Sequence, residues 1–296
     1  MKRKATRVFA LEQVRRMRGG SQSQLMRCSD GEYYVVKFQN NPQGVRILAN
    51  ELLATILAKC LGLPVPDAAI VYVDAELICH NEDLVIELGR SHVRCQSGLC
   101  FGSKYPRDPA ADRSRLPAVW DLLPEGYFRA ITNVLDFVGM LVFDKWTGNT
   151  DDRQSVFFRN EGQFQFTALM IDNGFCFNGQ KWDFLDVPKL GVSMRPGAYE
   201  RVRGIEAFDY WLSRLEQEID ESVLAAAFEA IPPEWYDRDE RSFRQLIDVL
   251  DSRRATVRGL LSATAQKLPE FFPNWVGTRR EPTARSSYLK ANLALA

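Results

Sequence analysis

Residues 148–174 read GNTDDRQSVFFRNEGQFQFTALMIDNG, and this stretch decides the fold. Its centre looks like a hairpin: Gln154 to Arg159, a turn at Asn160-Glu161-Gly162, then Gln163 to Ile171. Asp151 lies just before the first strand and Asp172 just after the second, equally far from the turn centre. Residues placed symmetrically about an antiparallel turn lie across from each other, so the two carboxylates are expected to meet at the open end. Each could simply cap a turn, as Asp commonly does. Together they could hold a divalent cation, or serve as one base and one metal ligand.

Upstream, Ile131, Leu135, Val138 and Val142 share one face of a helix expected from about Tyr127 to Trp146, ended by Gly148-Asn149. Further upstream a glycine-led loop, Gly19-Gly20-Ser21-Gln22-Ser23, precedes two strand-like runs, Gln24 to Cys28 and Glu32 to Phe38, joined by Ser29-Asp30-Gly31. Lys37 is the one charged residue of Tyr33-Tyr34-Val35-Val36-Lys37-Phe38. A helix follows from about Gln43 to Leu61, with Val45, Leu48, Leu52, Ile56 and Cys60 at helical spacing and Glu51 midway. Taken singly, Lys37 suits an edge strand and Glu51 a wet helix surface. Ala68 to Val73 and Leu84 to Leu88 read as strands. Residues 90–124 read as irregular. Ile205 to Leu215, Glu218 to Ile231 and Arg241 to Ala265 read as helices. Phe208, Tyr210, Trp211, Trp235 and Tyr236 among them suit packing.

The composition narrows the chemistry. The chain has 296 residues, 38 Lys+Arg against 38 Asp+Glu, and only 2 His, so acid–base work falls to carboxylates or Lys. Zero formal charge gives no reason to expect nucleic acid as a partner. No apolar run approaches a membrane span, and the basic Met1-Lys2-Arg3-Lys4 start lacks the apolar core of a secretory signal. Arg7, Arg15, Arg16 and Arg18 read as strand and loop charges rather than a transit peptide. Six Cys are too sparse for a disulfide framework, which favours a reducing cytoplasm. Cys79-His80, His92, Cys95 and Cys100 contain one tight pair where structural zinc usually has two, so they read as ordinary thiols. No Gly-x-Gly-x-x-Gly or Gly-x-Ser-x-Gly occurs, and the Gly-Ser-Lys at 102–104 misses Walker-A spacing.

In order, the parts are a glycine loop, a strand Lys, a helix Glu, an Asn-x-Asp loop after a long helix, then a hairpin and Asp-x-Gly. This is the order found in kinase-type phosphotransferases. At Gly19 to Ser23, Val35-Val36-Lys37-Phe38, Asn50-Glu51-Leu52-Leu53, Leu61-Gly62-Leu63-Pro64-Val65-Pro66, Gly98 to Ser103, Gly148 to Gln154 and Ile171-Asp172-Asn173-Gly174, the chain resembles the HipA-like kinases. These form a bacterial branch of the protein-kinase-like fold with kinship to phosphoinositide kinases. The resembling stretch covers about Gly19 to Phe177.

The resemblance implies an α+β, bilobal protein-kinase-like fold: a small antiparallel-sheet N-lobe with one main helix, and a mainly helical C-lobe. Residues 1–95 would form the first lobe, 96–125 an irregular connector, 126–275 the second lobe and 276–296 a polar tail. ATP and Mg²⁺ are the implied cofactors, and a hydroxyl acceptor, most simply a protein Ser/Thr, the implied partner. Gly20, Ser21, Gln22 and Ser23 would cover the nucleotide, and Lys37, held by Glu51, would meet its phosphates. Asp151 would be catalytic within the Asn149-x-Asp151 spacing, with Asp152 as the alternative alignment. Asp172 would bind metal. Family members place a His shortly after the catalytic Asp and an Asn a few residues later. Arg153 stands at the His position and no Asn occurs before Asn160, leaving Gln154 to supply an amide oxygen. That departure motivates a second reading, a nucleotide-binding pseudokinase acting as an interaction module; a third keeps the enzyme with nucleotidyl rather than phosphoryl transfer.

Overall fold

The computed structural model describes residues 6–106, 118–160 and 162–276. Alternating and β-branched runs form ten strands: β1 (Thr6–Arg16), β2 (Gln24–Cys28), β3 (Tyr33–Lys37), β4 (Ala68–Val73), β5 (Val85–Leu88), β6 (Ser91–Arg94), β7 (Gly98–Lys104), β8 (Val119–Trp120), β9 (Gln154–Phe158) and β10 (Thr167–Ile171). Seven α-helices accompany them: α1 (Arg46–Cys60), α2 (Ala75–Cys79), α3 (Asp136–Thr147), α4 (Asp209–Glu218), α5 (Glu221–Glu229), α6 (Glu240–Arg253) and α7 (Val257–Lys267). Among the described residues, no helix is long and apolar enough to cross a membrane.

Five strands close into a barrel in the order β1-β2-β3-β7-β4, with β4 returning parallel to β1 and all other pairs antiparallel. The barrel has its own core, including Val8, Met26, Tyr34, Val36, Val71 and Cys100. Here the sequence reading needs correction. Gly98–Lys104, expected as part of an irregular connector, is the strand between β3 and β4. Its glycines and Ser103 obscured it, yet Gly102 is what the packing inside the barrel requires. A Cβ there would stand 2.5 Å from Val71 Cγ2. Residues 107–117 of the expected connector, and the tail from residue 277 with Arg279, Arg280 and Arg285, lie outside the described residues.

All six cysteines are free thiols. Cys95 and Cys100 pack inside the barrel core, and burial pushes the Cys95 thiol up to about 11. Cys79 faces solvent.

α1 is buried on nearly every side: Ile47 to Thr55, Leu57 and Ala58 are all covered. Of the positions picked out by helical spacing, Leu48 and Leu52 are fully buried and Val45, Ile56 and Cys60 half-buried. A second core joins α1 to α3 and the later helices through Leu48, Leu52, Phe137, Leu141, Trp146 and Phe243. The helix expected over Tyr127–Trp146 is interrupted: Glu125–Ala130 forms a 3-10 turn, and α3 starts at Asp136. The break is enforced by Asn133. Its amide donates to Asp136 Oδ2 at 3.1 Å and Ala168 O at 3.0 Å and accepts from Ala168 N at 2.9 Å, which competes with helix hydrogen bonds. The long helix expected over Arg241–Ala265 is likewise split into α6 and α7 by a 3-10 turn at Arg254–Thr256. Phe208, Trp211, Trp235 and Tyr236 are core residues as expected, whereas Tyr210 is 62% exposed.

Candidate active site

α3 ends at Gly148, whose φ of 60° is the left-handed C-cap that favours glycine. The chain therefore turns sharply into 149–153 beside the hairpin β9–β10. Continuing the hairpin register corrects the symmetry argument. β9 and β10 pair Gln154 with Ile171, where the symmetric reading pairs Gln154 with Leu169. One step further along, Arg153 and not Asp151 lies across from Asp172. The turn absorbs the difference, because Gln163 to Phe166 stay out of the ladder.

Asp151 and Asp172 nevertheless line the same cavity, of about 840 Å³, between the barrel and the hairpin. Gly20, Ser21, Ser23, Lys37, Glu51, Asp152 and Gln154 line it too. Lys37 is buried, contrary to the reading of an exposed edge. Its Nζ donates to Glu51 and, at 2.8 Å, to Asp172 Oδ1. Burial opposes the Lys37 charge, but the two carboxylates outweigh it and hold its pKa above the ordinary lysine value. Burial also acts against the Asp172 carboxylate, yet the ammonium of Lys37 holds its pKa below the usual range. For Glu51, burial outweighs Lys37 and the pKa is raised.

The Asp172 turn is tied to α1. Asn173 N donates to Glu51 Oε2 at 3.1 Å. Asn50 Nδ2 donates to Gly174 O at 2.8 Å, Cys176 O at 3.2 Å and Gly179 O at 2.8 Å, while its Oδ1 accepts from Trp182 Nε1 at 2.8 Å. Gly174 packs against α1, where a Cβ would meet Ile47 Cγ2 at 2.6 Å. Asn50→Ala strips three buried carbonyls and an indole N–H of their partner. We expect it to lower stability by about 2–4 kcal/mol, at roughly 1–3 for each group left unpaired with partial relief by water. Urea denaturation followed by tryptophan fluorescence measures this.

Two predicted site residues sit elsewhere. Gln22 does not line the cavity. Its side chain accepts from Arg16 Nη2 at 2.6 Å and Glu87 N at 2.8 Å and donates to Glu87 O at 2.8 Å, pinning the glycine loop to β5. Asn149 is buried and also outside it. Asn149 Nδ2 donates to Asp144 Oδ1 at 3.0 Å, and its Oδ1 accepts from Asp151 N at 3.1 Å, so it braces the backbone of Asp151. Asp151 Oδ1 accepts from Asp152 N at 2.8 Å and Oδ2 from Gln154 Nε2 at 3.3 Å.

Sequence reasoning missed Asp144, Asn173 and the structural weight of Asn50 and Arg153. Asn50 was visible beside Glu51. No spacing signal links Asp144 to Arg153, whose fully buried side chains form an ion pair. Among the described residues, no group of three or more His, Cys, Asp or Glu stands together as a metal cluster.

The model of the family described as HipA-like kinase matches residues 11–162, just over half of the 296 residues. The chain belongs to the HipA-like kinase family. The matched region carries Lys37, Glu51 and Asp151 of this HipA-like kinase and ends ten residues before Asp172. No curated protein matches the sequence. Among solved structures, the Helicobacter pylori proinflammatory kinase CtkA aligns at 14% identity over 89% of this chain and 98% of its own, with a TM-score of 0.55. The likeness is one of fold. The Golgi casein kinase with Mn/ADP bound aligns at 12% identity over 88% of this chain and 73% of its own, with a TM-score of 0.48.

Proposed function

We propose that this chain transfers the γ-phosphoryl group of ATP, with Mg²⁺, to a protein Ser/Thr hydroxyl. In this reading the barrel with α1 is one lobe, the helices from α3 onward are the other, and nucleotide binds in the cavity between them. One observation carries it: Lys37, poised between Glu51 and Asp172 in a cavity wall that Asp151 also lines. A buried, fully charged ammonium beside a glycine loop suits phosphate oxygens. Gly19 and Gly20 let the loop backbone approach a phosphate closely. Asp151 orients the acceptor hydroxyl and receives its proton. The donors fit magnesium, because Asp172 offers a carboxylate and Gln154 an amide oxygen, both hard ligands. When bound, the ion neutralises phosphate charge.

A second reading, nucleotide binding without transfer, has its own observation. Arg153, Asn149 and Asn173 are all engaged within the protein, so none stands free as the family's His or Asn would. The deciding experiment incubates the protein with Mg²⁺ and ATP labelled at the γ- or the α-phosphate, alone and with lysate protein. Label from the γ-phosphate alone on Ser/Thr supports the proposal. Label from the α-phosphate means nucleotidyl transfer. A thermal shift with ATP·Mg²⁺ and no label on any acceptor means a binding module. A ligand bound only to the folded state at a hundredfold over Kd should add about 2.7 kcal/mol of stability.

A further inference from the structure

The side chain of Arg153 is spent on four acceptor atoms of three residues. Its Nε donates to Asp144 Oδ2 at 2.8 Å and its Nη2 to Asp144 Oδ1. Its Nη1 donates to Ile171 O at 2.8 Å and to Asn173 Oδ1 at 3.0 Å. These last two acceptors flank Asp172, whose backbone sits at φ 57°, an uncommon conformation for a residue other than glycine. Such a conformation persists where neighbours hold it. On the other arm, Asp144 accepts from Asn149, which holds the amide of Asp151. The Arg153 amide donates to Val192 O at 3.1 Å and Gly191 N donates to Asp151 O at 3.0 Å, which closes the brace around the loop.

We propose that Arg153 is a positioning residue that fixes Asp151 and Asp172 relative to each other across the cavity, with Asp144 as its buried anchor. The statement rests on the proposed kinase function for its catalytic consequence, though the tether itself does not. Burial obliges the third nitrogen to find acceptors, and the two it finds belong to the residues on either side of Asp172. The guanidinium suits the task because its planar fork reaches Asp144 and the 171–173 turn at once. An ammonium has the charge without that span.

The test compares wild type with Arg153→Lys, and with the double variant Asp144→Leu/Arg153→Met, which removes both charges together. Amide hydrogen exchange is read first, without nucleotide. Exchange at 171–174 and 149–153 is expected to quicken about tenfold in either folded variant while the barrel strands stay unchanged. Steady-state kinetics are read second. The kcat is expected to fall about 10–100-fold, as for other groups that orient a metal ligand from behind, with KM for ATP moving less than about threefold. Unchanged exchange, or kcat within about twofold of wild type, overturns the proposal. So does failure of both variants to fold, which would make Arg153 a residue of general stability. If wild type itself transfers no phosphate, the proposed function fails, and the exchange pattern still decides whether Arg153 holds the two loops.

Discussion

Asp151→Asn is expected to lower phosphoryl transfer severely while nucleotide affinity stays near wild type, if the proposed function holds. In the proposed function the change removes the proton acceptor and little else. A carboxamide oxygen can still accept from Asp152 N, and the loop backbone remains fixed by Asn149 and Gly191. Positioned general-base groups contribute about 10²–10⁴-fold, and that is the expected loss in kcat. ATP affinity, read by thermal shift, should be retained because Lys37, Glu51 and the glycine loop are untouched. Asp152→Asn is the control. Asp152 is exposed, and partial desolvation together with the neighbouring Asp151 raises its pKa. If Asp152→Asn is the inactive variant and Asp151→Asn is not, the catalytic role moves one residue along the chain.

Lys37→Met should be inactive and also unstable. It leaves Glu51 and Asp172 facing each other without a cation, with the Glu51 side chain only 3% exposed. Breaking a buried pair by removing one partner costs about 3–5 kcal/mol. The pH dependence has a definite sign. In wild type the folded Asp172 pKa is lowered, so its contribution is present above the unfolded carboxylate pKa and is lost as pH falls through the folded value. The folded Lys37 pKa is raised, so its contribution is present below the ordinary lysine value and is lost as pH rises through the folded value. In Lys37→Met the two carboxylates repel and titrate high. The deficit against wild type should therefore be largest near pH 7 and shrink as pH falls towards 4. Urea unfolding at pH 7 and pH 4.5 checks this, and an equal deficit at both values refutes it.

Much of the site was legible as a list of residues. Lys37, Glu51, Asp151, Asp172 and the glycine loop all reach one cavity. Their order along the chain signalled this, because it matches the order of parts in kinase-type phosphotransferases. The hairpin argument rested on a register two residues out, although both carboxylates do line the cavity. Asp151 and Asp172 share a cavity because the 149–153 loop and the turn after β10 both line it. They do not sit as partners across a ladder. Gln22 and Asn149 show the converse limit. Both belong to the predicted segments, yet their amides serve the backbone of β5 and of Asp151. Whether an amide faces a ligand or a neighbouring peptide depends on rotamer and surroundings, which spacing does not encode.

The sequence by itself determined the C-terminal end of α1, the C-cap at Gly148, and the set of charged residues available for chemistry. These are local properties, governed by period, glycine and proline. Tertiary structure decided which of those charges are buried and which are paired. It made Gly98–Lys104 a barrel strand by giving it two neighbours, and split one expected helix through Asn133. It also joined Asp144 to Arg153 and Asn50 to the Asp172 turn. The physical reason is range. A hydrogen bond or ion pair between residues far apart in sequence leaves no period behind it, and its energy depends on burial that only the folded chain creates.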